Sequence, residues 1–128
     1  MFEITDINEL YALQKGLMEI RFNTTDVDWA VQGSPVLGQL HQRVVEAIIR
    51  YHERSGEHAK AEGWREWRRF DRRVLERTAI REYLRRQWSR LTTDAAKREA
   101  VNNQMRPFAF SENDVEDLLT EMNRIEER

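Results

Sequence analysis

The sequence predicts an all-α fold, a compact bundle of about five or six helices that includes one long arginine-rich helix. Three observations carry that expectation. Apolar residues recur every three or four positions along most of the chain; Ser34-Pro35 reads as a helix start and Arg106-Pro107 as a helix stop; and the absence of cysteine removes a disulfide framework as an alternative. A chain of 128 residues is sized for one domain with one ordinary core, spanning 1–128.

Taken in order, Asp6 with Glu9 has the spacing of a capping box, and Leu10, Leu13, Leu17 and Ile20 follow as an apolar stripe, so a helix is expected over about Ile7 to Phe22. Asn23 to Gly33 is polar apart from Val27, Trp29 and Val31 and reads as a connection whose tryptophan packs on the core or on a partner. Ser34 suits an N-cap and Pro35 the first helical position, where its missing N–H is not needed. Leu37, Leu40, Val44, Ile48 and Tyr51, widened by Val45 and Ile49, give this second helix a broad apolar face, and Ser55-Gly56 is its stop.

Between Trp64 and Leu75 the periodicity puts Trp64, Trp67, Phe70, Val74 and Leu75 on one side and Arg65, Arg68, Arg69, Arg72 and Arg73 on the other. A second stripe, Ile80, Tyr83, Leu84, Trp88 and Leu91, is rotated well away from the first. The rotation falls around Glu76 to Ala79, so either the helix breaks near Thr78 or one long helix presents successive faces to different neighbours. Because neither Gly nor Pro interrupts the segment, one long helix, kinked at most, is expected from Trp64 to Arg90. Thr92 or Thr93 can cap a shorter helix to about Gln104. Ser111, flanked by Phe110 and Val115 at staple spacing, opens a last one carrying Leu118, Leu119, Met122 and Ile125. Phe2 with Ile4 and Phe108 with Phe110 alternate briefly, a minor strand signal.

The net charge of −2 conceals a segregated distribution. Met1 to Gly33 holds six acids against Lys15 and Arg21, whereas Trp64 to Arg90 holds ten arginines against four acids, and Leu91 to the end is acidic again. A polyanion could follow the Arg65, Arg68, Arg69, Arg72 and Arg73 face; the alternative is that these side chains are solvated or paired with the acidic first and last helices. The aromatics of the same segment, opposite the arginines, read as core rather than as base-stacking platforms.

Without cysteine there is no thiol nucleophile and no thiolate metal site. His52, Glu53, Glu57, His58 and Glu62 invite a metal reading, but His52 and His58 lie six apart across a break rather than on one face at four. His41 sits at the edge of an apolar stripe, as a buried base or as a hydrogen-bonded boundary residue. The glycines are scattered and make no phosphate loop, and no serine sits in a nucleophile elbow. No catalytic residue, metal site or cofactor is therefore assigned.

Met1-Phe2-Glu3-Ile4 lacks the features of a secretory signal and no apolar run reaches spanning length, so a cytoplasmic protein with no membrane partner is expected. On that view the Asn23-Thr24-Thr25 acceptor pattern is a chance match. The function expected is that of a small helical interaction module: an inhibitor, an immunity or antitoxin-type protein, a phage accessory protein or an assembly subunit. It would act by binding a protein partner or a second copy of itself, since opposed acidic and basic regions orient and speed association. The alternative is nucleic-acid binding through the five arginines. An enzyme would need a site assembled in space, starting from His41 or the His52/His58 pair.

Overall fold

The computed structural model describes residues 1–23 and 28–126. Among them are seven α-helices: α1 (Ile7–Met18), α2 (Trp29–Gln32), α3 (Pro35–Arg54), α4 (His58–Trp67), α5 (Val74–Gln87), α6 (Asp94–Met105) and α7 (Glu112–Glu126). The all-α expectation holds. The count exceeds five or six because the connection before Ser34 contains the one-turn α2 and because the long helix is divided.

Local chemistry sets most of the boundaries. Asp6 accepts from the backbone N–H groups of Asn8 and Glu9 at 2.9 and 3.1 Å, and the Ser34 hydroxyl accepts from Leu37 N at 3.2 Å with Pro35 behind it. Thr93 caps α6. Ser111 and Asp114 form a reciprocal box at α7, the serine hydroxyl on Asp114 N and the Asp114 carboxylate on Ser111 N. At the other end of α3, Gly56 takes φ +74°, a left-handed conformation that glycine reaches without a Cβ penalty. Beyond Met18 the first helix does not stop at once but widens into a π turn, Glu19–Asn23, which turns the adjacent Arg21 and Phe22 both inward. Thr24 to Val27, including Val27 of the expected connection and two residues of the glycosylation pattern, lie outside the described residues.

The long arginine-rich helix is corrected. It is two helices, α4 and α5, separated by Arg68 to Arg73 with a 3₁₀ turn at Phe70–Arg72. The break comes from a distant segment rather than from Gly or Pro. Ala109 N donates to Arg68 O at 2.8 Å, Phe70 N donates to Ala109 O at 3.4 Å, and Arg68 Nε donates to Pro107 O at 2.8 Å. This bridge lets two stripes that a straight helix would aim in different directions each meet a core. Phe70 is buried, but Val74 and Leu75, expected on the same apolar side, are 68% and 80% exposed. Among the described residues the Arg69–Ala109 bridge is isolated and no strand forms, and Phe2 lies exposed.

Two cores meet. Phe70, Ile80, Leu84 and Trp88 pack with Val101, Met105, Phe108, Val115, Leu118 and Met122, while Leu10, Leu17, Val44 and Ile48 join α1 to α3. Trp64 and Trp67 cover Val45, Ile49 and Ala61, and Phe108 joins the halves with its ring centroid 5.4 Å from both Phe22 and Trp67. No described helix is long and apolar enough to cross a membrane.

Candidate interaction surfaces

The five arginines singled out by the sequence do not share one helical face. Arg65, on α4, bonds Glu53 at 2.7 Å and Glu62 at 3.0 Å, and the first of these holds its guanidinium above the usual range. Arg68 is spent on Pro107 O. Arg69 bonds Asp71 at 3.0 Å, which raises the arginine and lowers the carboxylate, and it reaches Glu66 at 3.6 Å; Arg72 bonds the same Glu66 at 3.0 Å. Arg73 turns inward, over Trp67 at 4.6 Å and Phe108 at 5.6 Å, and meets Glu76 at 3.4 Å. The balancing acids are therefore those of the ends of α3 and α5, of α4 and of the connection between α4 and α5, rather than those of the first and last helices. The acids of α7 instead hold Arg81, at Glu121, and Arg98, at Glu112 and Glu116. The aromatics follow the core reading: Phe70 and Trp88 are buried, and Trp64, Trp67 and Tyr83 are partly so.

A different set of cations is open. On α3, Arg43, Arg50 and Arg54 recur at i, i+7 and i+11, which returns them to one stripe opposite Val44 and Ile48. All three are exposed, and among the described residues none has a carboxylate within 4.0 Å. Their Cα atoms span roughly 16 Å of helix. Val36, 73% exposed, lies on the same line, and Tyr51 flanks it. Sequence reasoning passed over this row because it searched for dense runs, although the 7 and 11 spacing is legible once the buried face of the helix is fixed. A smaller cationic spot lies where Arg86 and Arg90 stand 5.9 and 5.6 Å from the Trp29 ring, which rests on α5 half-exposed.

The histidines divide by environment. His52 is buried and links two elements: the Tyr11 hydroxyl donates to Nε2 at 2.5 Å, while Nδ1–H donates to Glu57 Oε1 at 3.1 Å, a tautomer imposed by a carboxylate that only accepts. His58 is exposed on Glu53. The two rings thus serve separate networks, and no group of three His, Asp or Glu among the described residues is placed to hold a metal ion.

His41 is fully buried, in the most polar part of the interior. Its Nε2–H donates to Gln14 at 2.6 Å and its Nδ1 accepts from Arg21 Nη1 at 3.0 Å. Burial, then the neighbouring Arg21 charge, lower its pKa to about 3, so it is neutral at ordinary pH. Arg21 is itself wholly buried, with its pKa lowered to about 10 by burial and then by Arg106. No described carboxylate pairs with it. Its guanidinium donates instead to Asn103 O at 2.8 Å, which also accepts from Arg106 N at 3.3 Å, and to Arg106 O at 2.5 Å. These carbonyls stand at the C-terminal end of α6, where the negative end of the helix dipole lies. The Asn103 amide in turn donates to Gly33 O and Ser34 O, tying α6 to the start of α3. Any Cβ on Gly38 would collide with that amide, so the close approach of α3 and α6 requires glycine there. This cluster joins three helices, and the side chains of Gln14, Arg21, His41 and Asn103 are all buried.

No family model, curated protein or solved structure matches the chain.

Proposed function

We propose that the chain is a small helical interaction module that uses the outer face of α3 to occupy an acidic surface on a partner protein, without a chemical step. Inhibitors, immunity or antitoxin-type proteins, phage accessory proteins and assembly subunits work in this way. The observation that carries the reading is the row Arg43, Arg50 and Arg54, three exposed arginines with no described carboxylate within 4.0 Å, on a preformed helix. Arginine and tyrosine are the side chains that interfaces favour, and Tyr51 and Val36 give the row apolar contact area beside it. Because the helix is already ordered by its buried face, binding costs little further ordering.

Nucleic-acid binding through Arg65, Arg68, Arg69, Arg72 and Arg73 has weaker support. Arg65, Arg69 and Arg72 would have to exchange a carboxylate for a phosphate, Arg68 a backbone carbonyl, and Arg73 lies over the core. The deciding experiment compares wild type with the triple variant Arg43→Glu, Arg50→Glu, Arg54→Glu as bait in extract of the source cell, at low and at moderate salt. Wild type is expected to retain a protein partner at low salt and release it as salt rises, and the variant to retain none while melting like wild type. Equal capture of the same partner by both baits would refute the proposal. So would retention of nucleic acid alone, with a log–log salt slope of about −2.7 if three phosphates are met.

A further inference from the structure

The geometry points to a second site, separate from the arginine row: the groove between α1 and α4 is a binding site for a small planar aromatic molecule that carries an acidic group. Its lining is a continuous aromatic surface. Tyr11 and Trp64 stack on one another nearly parallel, 15° apart with centroids 5.8 Å from one another, and Trp67 meets Trp64 edge-on at 62° and 5.3 Å. The space over these rings, shallow and open to solvent, is about 250 Å³. Drug-sized pockets run from roughly 300 to 1,000 Å³, so this one suits a molecule of one or two rings.

Three features make it a site rather than a surface irregularity. The Tyr11 wall is fixed in advance, because its hydroxyl proton is committed to His52 and His52 is in turn oriented by Glu57. At the rim, the Lys60 ammonium gives one of its three donors to Glu57 Oε2 at 2.9 Å and keeps two for an incoming carboxylate. The third feature is Gly63. A glycine within a helix destabilises it relative to alanine, yet no atom stands within 4 Å of where a Cβ on Gly63 would be, so packing does not require glycine there. What the missing side chain leaves is open space at the edge of the groove, which Gly63 lines.

The test follows the four indole N–H resonances of the full chain while 2-naphthoate or the neutral 2-naphthylmethanol is added. Saturable one-to-one binding is expected, moving Trp64 and Trp67 and leaving Trp29 and Trp88 in place. The acid should bind about threefold tighter than the alcohol, and Lys60→Met should remove that preference. Gly63→Leu, which projects a side chain into the groove, should weaken binding about tenfold with helicity retained, and Gly63→Ala should raise Tm while weakening binding to a lesser degree. The proposal is overturned if nothing saturates by about 5 mM, if all four indoles move together, or if a folded Gly63→Leu binds undiminished. Should Gly63→Leu not fold, the rim variant decides: an acid preference that survives Lys60→Met overturns it equally.

Discussion

The segment from Arg65 to Arg73 and the outer face of α3 both carry arginines, yet only one of them is open. In the first, every guanidinium has a partner: Glu53 and Glu62 for Arg65, the Pro107 carbonyl for Arg68, Asp71 and Glu66 for Arg69, Glu66 for Arg72, and an aromatic bed with Glu76 for Arg73. On α3, Arg43, Arg50 and Arg54 are without a described carboxylate in reach. Density of charge along the chain is therefore a poor guide to free charge on the surface. Spacing alone does not decide it, since Glu46 lies three residues from Arg43 and four from Arg50. What decides is which partners the fold brings into contact, and on α3 Glu46 bonds Gln42 while Glu53 bonds Arg65 and His58 instead.

If that contrast between engaged and open arginines is correct, the cost of removing each should follow its engagement, and Arg21 is the extreme case. Arg21→Met would leave the Arg106 carbonyl and the acceptor nitrogen of His41 without a donor, and the Asn103 carbonyl with only Arg106 N. Relief of the desolvated charge offsets part of this, and a net loss of about 3 kcal/mol in urea unfolding is expected. A variant as stable as wild type would mean that the dipole of α6 does not need the guanidinium.

The same cluster predicts an acid dependence. The His41 pKa is about 3 in the folded chain, below the 6.5 of a free imidazole, so the unfolded chain binds the proton more readily. Stability from this group is complete above about pH 6.5 and falls as the pH drops toward 3, by about 2 kcal/mol between pH 7 and pH 5. Urea midpoints at the two pH values would measure it, with His41→Gln expected to remove most of the difference while preserving an acceptor for Arg21. A profile flat across that window in the wild type would show that water reaches the ring.

How far the sequence anticipates this arrangement depends on the range of the forces involved. Caps are local, and Asp6, Ser34-Pro35, Thr93 and Ser111 were all legible, as was the amphipathic face of α3. The break after Trp67 was not, because what opens it is Ala109 and Pro107, some 39 residues along the chain from Arg68. The rotation between the two apolar stripes falls over Glu76 to Ala79, which α5 crosses unbroken, so it points to the wrong place. The absence of Gly and Pro is a rule for kinks within a helix and does not cover the competition of a distant backbone segment for its hydrogen bonds. Arg21 was likewise invisible as an interior residue, since its partners lie 82 and 85 residues away. Of the histidine cluster, the residue types were noted and the pairing was not: His52 belongs with Tyr11, 41 positions earlier, rather than with His58.

Within the arginine-rich segment itself, Arg73→Ala should sharpen the contrast. The change removes a cation lying over Trp67 and Phe108 and strands Glu76, which is itself mostly buried. A loss of about 1 to 2 kcal/mol is expected in thermal or urea unfolding. A cost no larger than that of an exposed site would place Arg73 with the open arginines.

The smallest effect is expected where the proposed function lies. Replacing Arg43, Arg50 and Arg54 by alanine removes no described ion pair or side-chain hydrogen bond and substitutes a better helix former at each position, so stability should shift by less than about 0.5 kcal/mol per site. The three stems cover little of the core, since the buried face of α3 is opposite them. A substantial loss of stability would mean that these arginines are engaged after all, and the distinction between the two regions would collapse. Stability that stays level, together with loss of the salt-sensitive partner, would separate binding from folding on one helix: the face with Val44 and Ile48 holds the bundle together, and the face with Arg43, Arg50 and Arg54 is left for a partner.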